Sequence, residues 1–257
     1  MSKIQVMSDA LASQVAAGEV VERPASVLKE LIENSVAAGA RTVTVDIRRG
    51  GIALLKVTDD GSGMSREDAL LSIQRHATSK IMKLTDLLEI TQMGFRGEAL
   101  PSIAGVSRFR LSTREKEAVE GTELVVEGGE LVDVRSSGVA HGTTIEVKEL
   151  FYNIPARRKF LKSEETEAAQ AEHQVRMHAL AFPEVRFILR RDDRQIYDVA
   201  PTRDWGLRIA QFSGSELAEK LIPIPETQGA GVTVSGYLLP ISEARRTRKQ
   251  QFVFLNN

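Results

Sequence analysis

Cysteine is absent from the 257-residue sequence, which excludes disulfides, thiolate nucleophiles and thiolate metal sites together. Also missing is any apolar run near the roughly 18 residues a membrane-spanning helix needs. The opening MSKIQVMSDAL has no signal-peptide apolar stretch. A cytoplasmic protein that touches no membrane is expected. Charge of one sign is lacking too: 34 basic residues face 35 acidic ones, a net charge of −1. No protein-wide positive field would hold nucleic acid, so any such contact must be local. There is no internal repeat and no low-complexity tract. No GxxxxGK[ST] phosphate loop occurs, and GSGMSR lacks the third glycine of a dinucleotide fingerprint. His173 and His178 stand five apart on a helix, facing different ways, while His76 and His141 lack neighbouring ligand types, which argues against zinc.

What is present has the balance of a globular protein, 42% hydrophobic and 27% charged. The length suits one large domain followed by a smaller one. From Pro24, suited to a first helical turn, apolar Val27, Leu28, Leu31, Ile32 and Val36 recur at 3.6-residue spacing, so this stretch reads as a helix. TVTVDIRR alternates, GG turns the chain, and IALLKV follows as a second strand, giving an antiparallel hairpin. Ser65, three residues before Asp68, opens another helix. Strands are expected around 107–114, 122–127, 130–135 and 143–148, and a long helix ended by Pro183 precedes a last hairpin with RDDR at its tip. Beyond PTRDW come the helix GLRIAQFSG and strands in GVTVSGYLL and QQFVFLNN, where a second domain begins and is cut short. Helices mixed with antiparallel hairpins give an α+β fold with a layered, mostly antiparallel sheet.

Four stretches could carry chemistry. In VTDDGSGM a buried strand delivers Asp59, a carboxylate that only accepts hydrogen bonds and suits an adenine's exocyclic amine. Gly61 and Gly63 then let bare backbone approach a ligand, although an ordinary DG turn reads the same way. GFRGEAL brackets Arg96 with Gly94 and Gly97 and starts a helix at Glu98, where free amides suit phosphate; a KH-type RNA clamp is the alternative. HGTTIEV offers Gly142, Thr143 and Thr144 at a strand start, though threonine is also simply a good strand residue. On the first helix Glu30 and Asn34 stack one turn apart with Glu33 and Ala37 beside them. If phosphates lie nearby, Asn34 can ligate a hard Mg²⁺ ion. Glu30 could then take a proton from an attacking water, a step worth about 10²- to 10⁴-fold in rate. Glu33 is expected to be a surface acid paired with a nearby Lys or Arg. Basic clusters at Arg157, Arg158, Lys159 and Lys162, at Arg190, Arg191 and Arg194, and at Arg245, Arg246, Arg248 and Lys249 are candidate DNA contacts or plain solvated surface.

The order of these motifs resembles the ATPase superfamily of gyrase, heat-shock chaperone, histidine kinase and MutL. AAGEVVERPASVLKELIENS, RHATSKI, GFRGEAL and LFYNIPARRKFL resemble the MutL mismatch-repair family in particular. The resemblance implies a Bergerat-type α/β sandwich over 1–205, the start of a smaller α/β domain over 206–257, and bound ATP with Mg²⁺. Glu30 would be the general base, Asn34 the metal ligand, Asp59 the adenine-reading acid, and Gly61 and Gly63 the turn beside the base. Thr78, Ser79 and Lys80 with Gly94, Phe95, Arg96 and Gly97 would form a lid over the phosphates, and Thr143 would be a further polar contact. The family's behaviour implies ATP-driven lid ordering, a homodimeric clamp that can enclose DNA, slow hydrolysis, and a MutS-type mismatch-recognition partner. The chain departs from the family's usual ENSLDAGA at Val36 and Ala37, the latter standing where the family carries Asp, and many members carry Asn where this chain has Asp60. A nucleotide-gated interaction module with little or no hydrolysis, or a chaperone- or topoisomerase-type relative, are the alternatives.

Overall fold

The computed structural model describes residues 21–78, 97–243 and 251–255. Helix α1 (Pro24–Ala37) begins with its proline in the first turn and buries Val27, Leu28, Leu31 and Ile32. Strand β1 (Thr42–Arg48) pairs antiparallel with β2 (Leu54–Asp59) across a tight 3₁₀ turn at Arg49–Gly51. Asp60 fastens this hairpin at its open end, its Oδ1 accepting from the Arg41 and Thr42 amides at 2.7 and 2.8 Å. Helix α2 (Arg66–Ser72) is capped by Ser65, whose Oγ accepts from the Asp68 amide at 3.1 Å, as the spacing predicts.

Helix α3 (Ala99–Gly105) leads into β3 (Arg108–Arg114), β4 (Gly121–Glu127), β5 (Glu130–Ser137) and β6 (Gly142–Lys148). A short helix α4 (Pro155–Phe160) and the long α5 (Glu164–Ala181) precede β7 (Arg186–Arg191) and β8 (Arg194–Val199). Then follow α6 (Trp205–Ser213), α7 (Ser215–Ala218), β9 (Ile222–Gly229) and β10 (Val232–Leu238).

Strands β1 to β8 form one sheet in the order β5-β4-β3-β6-β2-β1-β7-β8, antiparallel except for β1 against β7. One face is apolar and lies under α1 and α5: Val43, Val45, Ile47, Leu55, Val57, Phe109, Leu111, Val147, Phe187 and Leu189 are all buried there. The other face carries a transverse ladder of alternating charge. Arg190 lies 3.6 Å from Asp46, which the register sets opposite Lys56; Lys56 is 3.5 Å from Glu146, and Glu146 stands opposite Arg110. Arg110 reaches Glu123 at 4.0 Å, and Glu123 binds Arg135. No helix among the described residues is long and apolar enough to cross a membrane.

Strands β9 and β10 form a separate two-stranded sheet. Pro223 and Pro225 hide β9 from a sequence reading, since proline cannot donate to a ladder; the strand tolerates them because, among the described residues, β10 is its one neighbour. The strand expected in QQFVFLNN is not formed over residues 251–255. Its Phe252 ring instead stacks on His173 at 6.0 Å and lies 5.5 Å from the Arg176 guanidinium, both on α5, so side-chain packing on a helix replaces strand pairing. Helix α6 is tied to the entry of β7 by the buried Arg208, which donates to the Pro183 carbonyl and, at 2.7 Å, to that of Val185.

Phe187 stands fully buried in β7 beneath the helices. Phe187→Ala is expected to destabilise the fold by about 3–5 kcal/mol, read as a lower midpoint in urea unfolding.

Candidate functional site

Along three neighbouring strands the inward positions stay apolar until the last one. Strand β2 turns Leu55, Val57 and then Asp59 inward; β6 turns Val147, Ile145 and then Thr143; β3 turns Phe109, Leu111 and then Thr113. The register sets Val57, Ile145 and Leu111 on one rung and Asp59, Thr143 and Thr113 on the next. Alternation thus carries polar groups onto the core face at one end of the sheet.

Asp59 is only 8% exposed. Its Oδ2 accepts from Ser35 Oγ of α1 at 2.8 Å and its Oδ1 from the Gly61 amide at 2.9 Å, while the Thr143 amide also donates to the carboxylate. Burial pushes the Asp59 carboxyl above its ordinary value, and these donors oppose the shift without cancelling it. Thr113 Oγ1 lies 2.9 Å from the Met64 amide, 3.1 Å from the Gly142 carbonyl and 3.0 Å from Thr143 Oγ1. Donating to the carbonyl and accepting the other two satisfies the hydroxyl completely. Gly63 holds φ at +70°, and a Cβ there would stand 2.1 Å from the Arg114 carbonyl oxygen, so the turn after Asp59 packs on β3 only with glycine.

Ser35 is buried and its hydroxyl also lies 3.1 Å from the Leu31 carbonyl, so one proton is shared between that oxygen and Asp59. The contact fixes how α1 is rotated over the sheet. Asn34, next to Ser35, and Glu30, one turn earlier, then occupy a half-exposed side of the helix, with Ala37 exposed on the same side. Glu30 also borders an open concavity of about 370 Å³ whose walls include Ser26, Lys29 and Gln174. A second concavity, of about 460 Å³ between α6, α7 and β10, shares no residue with this site.

Glu33 corrects its expectation in part. It pairs with Lys29 at 3.2 Å, as expected, but it is 5% exposed and turns toward α5, where His178 Nε2 lies 3.7 Å away. The α1 to α5 contact covers what a lone helix would leave at the surface.

Gly97 lies against the backbone of Ala77, where a Cβ would meet the carbonyl oxygen at 2.5 Å, and Glu98 binds His76 Nδ1 at 2.8 Å and Arg75 Nε at 3.6 Å. The chain on either side of residues 79–96 is therefore brought together, with Thr78 half-buried beside it. Ser79, Lys80, Gly94, Phe95 and Arg96 lie outside the described residues.

Two residues of this site carry no role in the sequence expectations, Ser35 and Thr113. Both had a signal in the sequence: Ser35 interrupts the buried arc of Leu28, Leu31 and Ile32, and Thr113 ends the inward series Phe109, Leu111.

Among the described residues no group of three or more His, Asp or Glu side chains could cage a metal ion. The amide of Asn34 with Glu30 a turn away suits a hard cation that arrives already carrying phosphate and water oxygens. Of the basic clusters, Arg157, Arg158, Lys159 and Lys162 on and after α4 make no ion pair among the described residues. Arg190 and Arg191 are matched by Asp46, Glu165 and Glu172, and residues 245–249 fall outside the described set.

A family model described as histidine kinase-, DNA gyrase B-, and HSP90-like ATPase matches residues 22–126. The chain is 61% identical over 256 residues to the DNA mismatch repair protein MutL of Akkermansia muciniphila and 50% identical to that of Opitutus terrae. Each match takes in 100% of this chain but only 40% and 41% of those proteins, so the chain spans well under half of their length. Among solved structures, the Aquifex aeolicus MutL ATPase domain complexed with ADP is 34% identical, with a TM-score of 0.59 over 75% of this chain and 69% of its own. The N-terminal domain of a DNA repair protein, 21% identical, shares the fold with a TM-score of 0.78 over 96% of this chain and 78% of its own.

Because burial raises the Asp59 carboxyl, the folded chain holds this proton to higher pH than the unfolded chain does. Stability due to the protonated form is present below the ordinary value of 3.8 and is lost as pH rises through the raised one. Relative to Asp59→Asn, the parent chain is expected to lose unfolding free energy as pH rises from 3.8, measured by urea titrations at a series of pH values.

Proposed function

The chain belongs to the MutL family of DNA mismatch repair proteins, and on that premise we propose that it is an ATP-binding and slowly hydrolysing switch of mismatch repair. One observation carries the reading: the hydrogen bond from Ser35 to Asp59, which sets the helix bearing Glu30 and Asn34 beside a buried carboxylate at the end of the sheet. Asp59 accepts the exocyclic amine of adenine with the lone pairs its protein donors leave over. Gly61 and Gly63 keep side chains away from the base, and Thr143 adds a hydroxyl on the same rung. Asn34 would hold Mg²⁺ through its amide oxygen, and Glu30 takes the proton of the attacking water. Mg²⁺, when bound with the nucleotide, supplies positive charge to the phosphate oxygens.

Thr78, Ser79, Lys80, Gly94, Phe95, Arg96 and Gly97 wrap the phosphates. Supporting this, Glu98 with His76 and Gly97 with Ala77 bring together the two sides of the segment between them. Ordering of that segment on ATP brings two copies of the protein together as a clamp around DNA, in partnership with a mismatch-recognition protein of the MutS type. An ordering loop is a recognised switching element. The cations of α4, which make no ion pair among the described residues, supply a local DNA contact that the net charge alone does not. The division into an ATPase domain over 1–205 and a second domain from 206 belongs to the same proposal.

A second reading rests on Ala37, exposed on the side of α1 that carries Glu30 and Asn34. Without the carboxylate usual in the family, the chain would act as a nucleotide-gated interaction module that binds ATP and does not turn it over.

Glu30→Ala is expected to bind ATP with parental affinity while phosphate release falls by about 10²- to 10⁴-fold. Asp59→Asn is expected to lose binding in a fluorescent-nucleotide titration. Parental turnover by Glu30→Ala would overturn the assignment of the base. For DNA, replacing Arg157 and Arg158 by alanine should flatten the slope of log affinity against log salt by about one to two. An unchanged slope would leave these arginines structural.

A further inference from the structure

Glu33 is a buried acid that the proposed mechanism does not use. Its carboxylate lies between α1 and α5, with Lys29 Nζ at 3.2 Å from Oε1 and 3.4 Å from Oε2, and with His178 Nε2 at 3.7 Å from Oε1. His178 is itself held, its Nδ1 2.8 Å from the Gln174 carbonyl of the preceding turn. Burial works against the charged form of Glu33, yet the His178 ring and the Lys29 ammonium hold it below the usual carboxylate range. Burial likewise works against the Lys29 ammonium, and the Glu33 and Glu30 carboxylates outweigh it and hold Lys29 above its ordinary value. An ion pair whose lysine is half-exposed is weak as a stability device, since solvent screens it. Its use here is geometric.

Neighbouring residues on a helix point about 100° apart and do not normally meet. Lys29 nevertheless comes 3.5 Å from Glu30 Oε1 while it pairs with Glu33 one turn on. Glu33, braced by His178 from the next helix, is what bends the lysine across this side of α1. Lys29 and Glu30 line the same concavity of about 370 Å³, with Gln174 of α5 on its wall. We propose that Lys29, anchored by Glu33 and through it by His178, is a positioning residue that orients the Glu30 carboxylate. The inference rests on Glu30 being the general base. It links the packing of α5 on α1 to the setting of that base.

A double-mutant cycle in the full-length protein tests it, with phosphate release giving kcat and KM and a fluorescent-nucleotide titration giving affinity. Lys29→Met should lower kcat on the order of tenfold with nucleotide affinity within about twofold of the parent. Lys29→Arg should restore most of the loss. In the Glu30→Ala background Lys29→Met should cost nothing further, because an orienting group has nothing left to orient. Parental kcat in Lys29→Met, or an equal loss with and without Glu30, would overturn the inference. Undiminished turnover in Glu30→Ala alone would instead overturn the assignment of the base. His178→Phe, which keeps the packing and removes the ring nitrogens, should reproduce part of the Lys29→Met loss; parental kcat there would remove His178 from the anchor.

Discussion

The hydroxyl of Ser35 and the carboxylate of Asp59 meet across the boundary between helix and sheet, and the rest of the site depends on that contact. A hydrogen bond to a charged group contributes about 1.5–3 kcal/mol, and removing it would leave a buried oxygen short of a donor. The consequence is more positional than energetic. With Ser35 directed into the sheet, the 100° step of a helix gives Asn34 and Glu30 no choice of side. Rotating α1 far enough to move Glu30 would break the contact and expose Leu28 and Leu31 as well.

Stability and function pull against each other at the polar rung. Below it, the row of Val57, Ile145 and Leu111 is what a core wants; on it, Asp59 sits where the alternation calls for another apolar side chain. Three donors converge on that carboxylate, and burial still prevails over them. A fold selected for stability alone would have no use for such an acid. Its presence at the end of the sheet is what the proposed role, accepting from a ligand that brings its own donor, would require.

Much of this was legible in the residues. The arc from Val27 to Ile32, the alternation of β1 and β2, the cap at Ser65 and the glycine turns all have local causes, so the α+β sheet could be read before its strands were assembled. The buried strand that delivers Asp59 into a glycine turn was legible for the same reason: the turn is local. Ser35 and Thr113 were not read, because their importance comes from register between segments distant in sequence. Glu33 was misjudged as a surface acid because a helix read alone has no α5 beside it. Strand β9 was hidden by two prolines whose tolerance depends on having a single neighbour among the described residues, and the aromatic run at 251–255 was read as a strand although Phe252 is taken up by α5. Where physics is local the sequence speaks; where a partner element decides, it is silent.

The ladder of alternating charge on the face of the sheet opposite α1 and α5 has its own consequence. Eight strands laid side by side make a broad plane that, if apolar, would stack on a second plane and precipitate. Cross-strand neighbours such as Lys56 with Glu146 and Arg190 with Asp46 instead satisfy one another sideways within the plane. Any flat visitor would have to strip water from them without offering better partners. Among the described residues, one layer of helices is therefore enough, and the charged face needs no apolar cover.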